Sequence, residues 1–191
     1  MIRFDYNRDE AVSQGAWPWH FRAEQTYGLR DDGFQVEMRL QNRSSSPMPF
    51  GIGHHPYFLK TADTRLQVHA QAMWDNDIER LPTQIVQTNV IHDLSTGVAV
   101  DTLDLDNNFI GWNGYAKIDD GASKPLQLQA DPRLAFLTLY TSKNADFFCV
   151  EPVSNCTDSF NLKNQGLSSA HTGGDVLLPD QWVETCWSLL V

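Results

Sequence analysis

Phe34-Gln35-Val36-Glu37-Met38-Arg39-Leu40 alternates apolar and polar residues without a break, and Asp31-Asp32-Gly33 stands immediately before it. Strict period two puts every apolar side chain of such a segment on one face, which is the pattern of a half-buried strand. Asp-Asp-Gly supplies turn residues, so Glu24 to Leu29 and Phe34 to Asn42 are expected to pair as a hairpin. Ser44-Ser45-Ser46-Pro47 closes the second strand. Working outward, short apolar or alternating runs follow at Leu66 to Met73, Ile85 to Ile91, Leu126 to Ala130, Leu134 to Tyr140, Phe147 to Val150 and Trp182 to Val191, separated by turn residues. No window of eleven residues carries a helical period, and the 12 glycines and 9 prolines are scattered rather than gathered into a linker. The expected class is all-β, a sandwich of antiparallel sheets, with residues 1–191 forming a single domain.

Composition narrows the partners. Twenty-four acidic against fourteen basic residues give a formal charge of -10, a field that repels nucleic acid, anionic lipid and phosphorylated substrates. No apolar run approaches the ~20 residues of a membrane helix, and Met1-Ile2-Arg3-Phe4-Asp5 lacks the apolar centre of a secretion signal. A cytoplasmic protein is expected. Cys149, Cys156 and Cys186 are odd in number and lack CxxC spacing, which reads as packing thiols. Asn42-Arg43-Ser44 and Asn155-Cys156-Thr157 match the glycosylation pattern but mean nothing in that compartment.

Three segments carry residue types capable of chemistry. In Gly53-His54-His55-Pro56-Tyr57-Phe58 the adjacent histidines point to opposite faces of an extended chain, and Pro56 forces His55 into extended conformation while removing the next backbone donor. His20, His69, His92 and His171 add no metal-ligand spacing, so no metal is assigned. In Phe147-Phe148-Cys149-Val150-Glu151-Pro152 a carboxylate closes an apolar run, and alternation places Glu151 on the face of Phe147 and Cys149. It is either a general base whose pKa is raised by a dry pocket, or a buried acid paired with Arg22, Arg39 or Arg133. Asp106-Asn107-Asn108-Phe109-Ile110-Gly111-Trp112-Asn113 is either an Asx-rich turn or a sugar-binding cluster, with amides and a carboxylate for hydroxyls and aromatic faces for the ring.

In this order the three segments resemble the aldose 1-epimerase (mutarotase) family, whose members carry HPYF-like, DNxF-GW and FFCVEPVS-like stretches. Trp17-Pro18-Trp19-His20-Phe21-Arg22-Ala23 is similar to an upstream WPxxFRA stretch. Asp175-Val176-Leu177-Leu178-Pro179 is similar to the family's last turn, with Asp180 where glycine is usual. The resemblance implies a galactose mutarotase-like β-supersandwich and interconversion of the α and β anomers of a neutral free aldose, without a cofactor. It assigns the general base to Glu151, the general acid to His55, sugar hydroxyls to Asp106, and places beside the cleft to His54 and Trp112.

The resemblance also has a gap. Family members carry an N-terminal portion with a substrate-binding Arg and a second His, and this chain resembles only the C-terminal two-thirds of their domain. An N-terminally truncated sandwich is therefore expected, with uncovered sheet edges that favour a homo-oligomer. The alternative function is a noncatalytic carbohydrate-binding or oligomer-forming fragment of the same fold.

Overall fold

The computed structural model of the chain describes residues 1–10, 15–88 and 93–191. Sixteen strands run through the described residues: β1 (Ile2–Tyr6), β2 (Phe21–Arg30), β3 (Gly33–Asn42), β4 (Met48–Phe50), β5 (Tyr57–Leu59), β6 (Arg65–Val68), β7 (Ala72–Asn76), β8 (Pro82–Gln87), β9 (Val98–Ala99), β10 (Leu105–Ile110), β11 (Tyr115–Asp119), β12 (Leu126–Ala130), β13 (Phe136–Thr141), β14 (Phe147–Val153), β15 (Asp175–Leu177) and β16 (Trp182–Leu190). Two short helices, α1 (Ser159–Asn164) and α2 (Ser169–Thr172), interrupt the series after β14.

The expected hairpin forms. β2 and β3 pair antiparallel from Phe21↔Asn42 to Arg30↔Gly33, leaving Asp31 and Asp32 as the loop. Glycine is required at position 33, because a Cβ there would lie 2.0 Å from the Leu189 carbonyl oxygen on β16. β16 in turn lies against β3 along its whole length, and the eight-stranded sheet runs β1-β2-β3-β16-β12-β11-β6-β9. A six-stranded sheet, β5-β14-β13-β10-β7-β8, packs over it, and β4 with β15 forms a two-stranded ribbon.

Alternation decides what lies between the two large sheets. Val36 and Met38 from β3, Leu66 and Val68 from β6, Leu128 from β12 and Trp187 from β16 meet Phe109, Leu137, Leu139, Phe148 and Val150 of the other sheet. Each such side chain contributes roughly 1.5–3 kcal/mol by leaving water. Trp112 joins this core, 5% exposed, with its indole N–H donating to the Tyr115 carbonyl at 2.9 Å.

Two sequence expectations change. Leu66 to Met73 is not one strand: Leu66 and Val68 both reach the core, but Met73 is out of phase with them. A strand of period two cannot bury all three, so the chain breaks at His69-Ala70-Gln71 and crosses to the other sheet as β7. The Asx-rich turn is displaced as well, since residues 105–110 form β10 and the turn waits for Gly111, at φ 67°. The run drawn from Ile85 to Ile91 is strand through Gln87, while residues 89–91, and His92 beyond them, lie outside the described residues.

Candidate active site

The face of the six-stranded sheet turned away from the main core carries the candidate residues. On β14 the inward set is Phe148 and Val150, so Cys149 and Glu151 share the outer face, as alternation requires. Cross-strand pairing then sets two rows. Asn108, Thr138 and Glu151 stand side by side on β10, β13 and β14, and Asp106, Tyr140, Cys149 and Tyr57 form the next row out to β5.

His55 enters through register. β5 pairs with β14 as Tyr57↔Cys149, and a bridge at Gly53↔Val153 continues the same register on the other side of Pro56. His55 thus faces Glu151. The His54 N–H donates to the Pro152 carbonyl at 3.1 Å, and the Ser154 N–H to the Ile52 carbonyl at 2.8 Å, fastening the segment to β14. The Ser154 hydroxyl also accepts from the Ile52 N–H at 2.8 Å. Such close apposition depends on glycine: a Cβ at Gly53 would come within 2.6 Å of Val153 Cγ1.

His55 Nε2 lies 3.3 Å from Glu151 Oε1. The imidazole stacks on the Tyr57 ring, with centroids 4.7 Å apart and planes 12° from parallel, and half of its side chain meets solvent. Glu151 is only 9% exposed. Burial, and then the negative charge of Asp106, push its carboxyl from 4.5 up to about 7. Among the described residues no arginine neutralises it. Arg3 and Arg39 hold the buried Glu24 at 3.0 and 3.3 Å, and Arg22 holds Asp5 at 2.6 Å, so the paired-acid alternative is not realised.

A cavity of about 470 Å³ opens over the pair, within the range of roughly 300–1,000 Å³ usual for ligand sites. Gly51 to His55 form one wall, Asn108, Thr138 and Glu151 the floor, and Phe160 of α1 the far side. Asn108 is held at both ends of its amide: its Nδ2 donates to Thr138 Oγ1 at 2.6 Å, and its Oδ1 accepts from the Thr157 N–H at 2.8 Å.

The sequence-derived residues fall into three groups. Glu151 and His55 are brought together, and Asp106 stands one row away, 3.8 Å from the Arg80 guanidinium. His54 lines the cavity, but its ring turns to Trp187 at 5.1 Å and its Nδ1 is buried without a partner. Burial, and then His55, hold the His54 imidazole below its usual range, which fits a wall rather than a proton carrier. Trp112 is not brought to the cavity; its ring fills the core between the sheets. Asn108 belongs to the cluster read as a sugar-binding alternative, whereas sequence reading missed Thr138 beside it and Tyr57 as the support of His55. Phase offered the signal, because Thr138 and Tyr140 occupy the non-core positions of the Leu134 to Tyr140 run.

Solved structures share the architecture of this antiparallel sandwich. A putative aldose 1-epimerase from Escherichia coli K12 superposes with TM-score 0.79 at 24% identity, covering 98% of this chain and 63% of its own. A galactose mutarotase-like protein from Clostridium acetobutylicum gives TM-score 0.82 at 22% identity, covering 98% and 60%. The chain belongs to the aldose 1-epimerase family, whose sequence profile matches residues 2–172. The uncharacterized protein YphB of Escherichia coli K12 is 25% identical over 185 residues, 88% of this chain and 61% of that protein. The chain thus spans about three-fifths of the length of these relatives.

Proposed function

We propose that this chain interconverts the anomers of a neutral free aldose, with Glu151 as general base and His55 as general acid. One observation carries the reading: the imidazole and the carboxylate stand side by side, 3.3 Å apart, at the floor of an open cavity. Anomerisation needs that arrangement, because the hydroxyl that loses a proton and the ring oxygen that gains one are bonded to the same carbon. Glu151 takes the anomeric O–H proton while protonated His55 delivers one to the ring oxygen. The C1–O5 bond breaks, the open-chain aldehyde turns about C1–C2, and the reverse transfers close it on either face. The scheme uses no electron acceptor.

A carboxyl raised to about 7 lies in the range where a general base serves best near neutral pH. Asn108 and Thr138 offer amide and hydroxyl groups to the sugar, and Asp106, one row beyond the cavity lining, a carboxylate. Asp106 and Glu151, together with the overall charge of -10, disfavour a phosphorylated sugar. Among the described residues no helix is long and apolar enough to cross a membrane. A cytoplasmic setting is part of the proposal, supported by three cysteines that all remain thiols. Self-association belongs to it too: Ile2 and Phe4 on β1, and Tyr57 and Leu59 on β5, are more than half exposed at the outer strands of the two sheets.

Polarimetry on freshly dissolved α-D-galactose and α-D-glucose tests the reading. The expected result is acceleration over the spontaneous rate, lost by about 10²–10⁴-fold in Glu151→Gln, the usual span for a positioned general base. A folded chain that binds the sugar without accelerating its mutarotation would overturn it in favour of a noncatalytic carbohydrate-binding fragment.

A further inference from the structure

Glu151 and His55 have a third neighbour that the proton-transfer scheme leaves unused. Cys149 lies two residues before Glu151 on the same face of β14, and its cross-strand partner Tyr57 is the residue that supports His55. One donor atom from each of His55, Cys149 and Glu151 lies within 4.8 Å of the other two. A tetrahedral zinc ion with bonds of about 2.0–2.3 Å holds its donors roughly 3.3–3.8 Å apart. The observed cluster is therefore wider than a closed site by at most about one ångström, and its His55–Glu151 side, at 3.3 Å, already fits. Cys149 and Glu151 are fixed in the strand, whereas the His55 side chain is 54% exposed and has room to make the adjustment.

The donor set is selective. A thiolate with an imidazole and one carboxylate suits zinc and its softer relatives, and suits magnesium or calcium poorly, since those ions require oxygen ligands. Three protein donors leave a fourth position for water or another small ligand. The carboxylate of Asp106, two strands along the row of Cys149, adds negative charge nearby.

We propose that His55, Cys149 and Glu151 form a three-donor site for a thiophilic divalent cation of the zinc type, and that its occupancy silences the acid–base pair. Entry of the ion displaces the thiol proton of Cys149 to solvent and occupies the lone pairs with which His55 and Glu151 exchange protons with the sugar. Nothing is oxidised or reduced, and the site reverts when a chelator removes the ion. The inhibitory consequence rests on the mutarotase reading, but the binding site itself does not.

Cobalt(II) titration of the chelator-treated chain tests the binding. The expected result is one equivalent bound, with a thiolate-to-cobalt charge-transfer band in the near ultraviolet and the intense visible bands of a tetrahedral ion. The charge-transfer band disappears in Cys149→Ser, and zinc displaces cobalt. Calorimetry with zinc should show affinity falling by about tenfold or more in both Cys149→Ser and His55→Gln. Thermal melts of each variant without metal establish that it is folded. A cobalt spectrum without a thiolate band, or zinc affinity unchanged in both folded variants, would overturn the site. Mutarotation that persists at full zinc occupancy would overturn the silencing. A chain that binds zinc but never accelerates mutarotation would refute the proposed function and leave the metal site standing.

Discussion

Glu151 is costly to the fold in the ionised form that the proposed chemistry requires. Its carboxyl is raised from 4.5 to about 7, so between those values the folded chain holds a proton that the unfolded chain has lost. Stability from this group is complete below about pH 4.5 and declines as the pH rises through 7. Glu151→Gln removes the ionisation, and the variant is expected to melt above the parent at pH 8 by an amount worth on the order of 1–3 kcal/mol, with the gap closing at pH 5. The same shift sets the acid limb of the rate profile: kcat/KM for mutarotation should rise as the pH passes through about 7. Asp106 is the second cause of the raised value, so Asp106→Asn is expected to move that limb to lower pH, read from the same profile. Much of this was visible in the sequence, because a carboxylate ending an apolar run has few ways to be buried. Its neutralising arginine was not excluded until the arginines were found beside Glu24 and Asp5, contacts 15 to 21 residues apart in the chain that no local pattern announces.

Among the elements, the segment from Gly51 to His55 does the most to assemble the site. It is held to β14 by backbone hydrogen bonds up to Pro56, after which the ladder resumes as β5. Gly53→Ala would push Cβ to within 2.6 Å of Val153 Cγ1, forcing the two strands apart where His55 faces Glu151. The expected cost is about 1–3 kcal/mol in denaturant unfolding, with a loss of kcat exceeding the change in KM. The hairpin of β2 with β3 could be read directly, since an alternating run just after Asp-Asp-Gly calls for a partner just before it. Phase errors explain the elements that were not legible. The Leu66 to Met73 run hid a change of face, and β10 was disguised by asparagines whose amides serve other strands: Asn107 donates to the Trp74 carbonyl at 2.9 Å, and Asn108 to Thr138. Trp112 was assigned to the cleft because aromatic and amide residues together suggest sugar binding. Its position after the Gly111 turn sends the indole into the core instead.

For the whole molecule, the same edges that mark the outer strands predict association. Ile2, Phe4, Tyr57 and Leu59 would present unpaired, partly apolar strands to a second copy, so light scattering at tens of micromolar should return a mass above that of one chain. A clean monomer would reject this. Placing a charged residue at an exposed edge position, as in Phe4→Lys, should shift the population toward monomer without lowering the melting temperature.

The order of strands carries one more implication, for biosynthesis. β16 is the last strand of the series, yet it bridges β3 on one side and β12 on the other, so the eight-stranded sheet is two separate pieces until residues 182–190 are present. A polypeptide still growing on the ribosome cannot close its sandwich early, however long it waits. Chaperone demand should therefore last at least until Leu190 has emerged, with protease resistance arriving abruptly from that point. Nascent chains stalled before Trp182 are expected to be digested throughout, and chains that extend past Leu190 to resist.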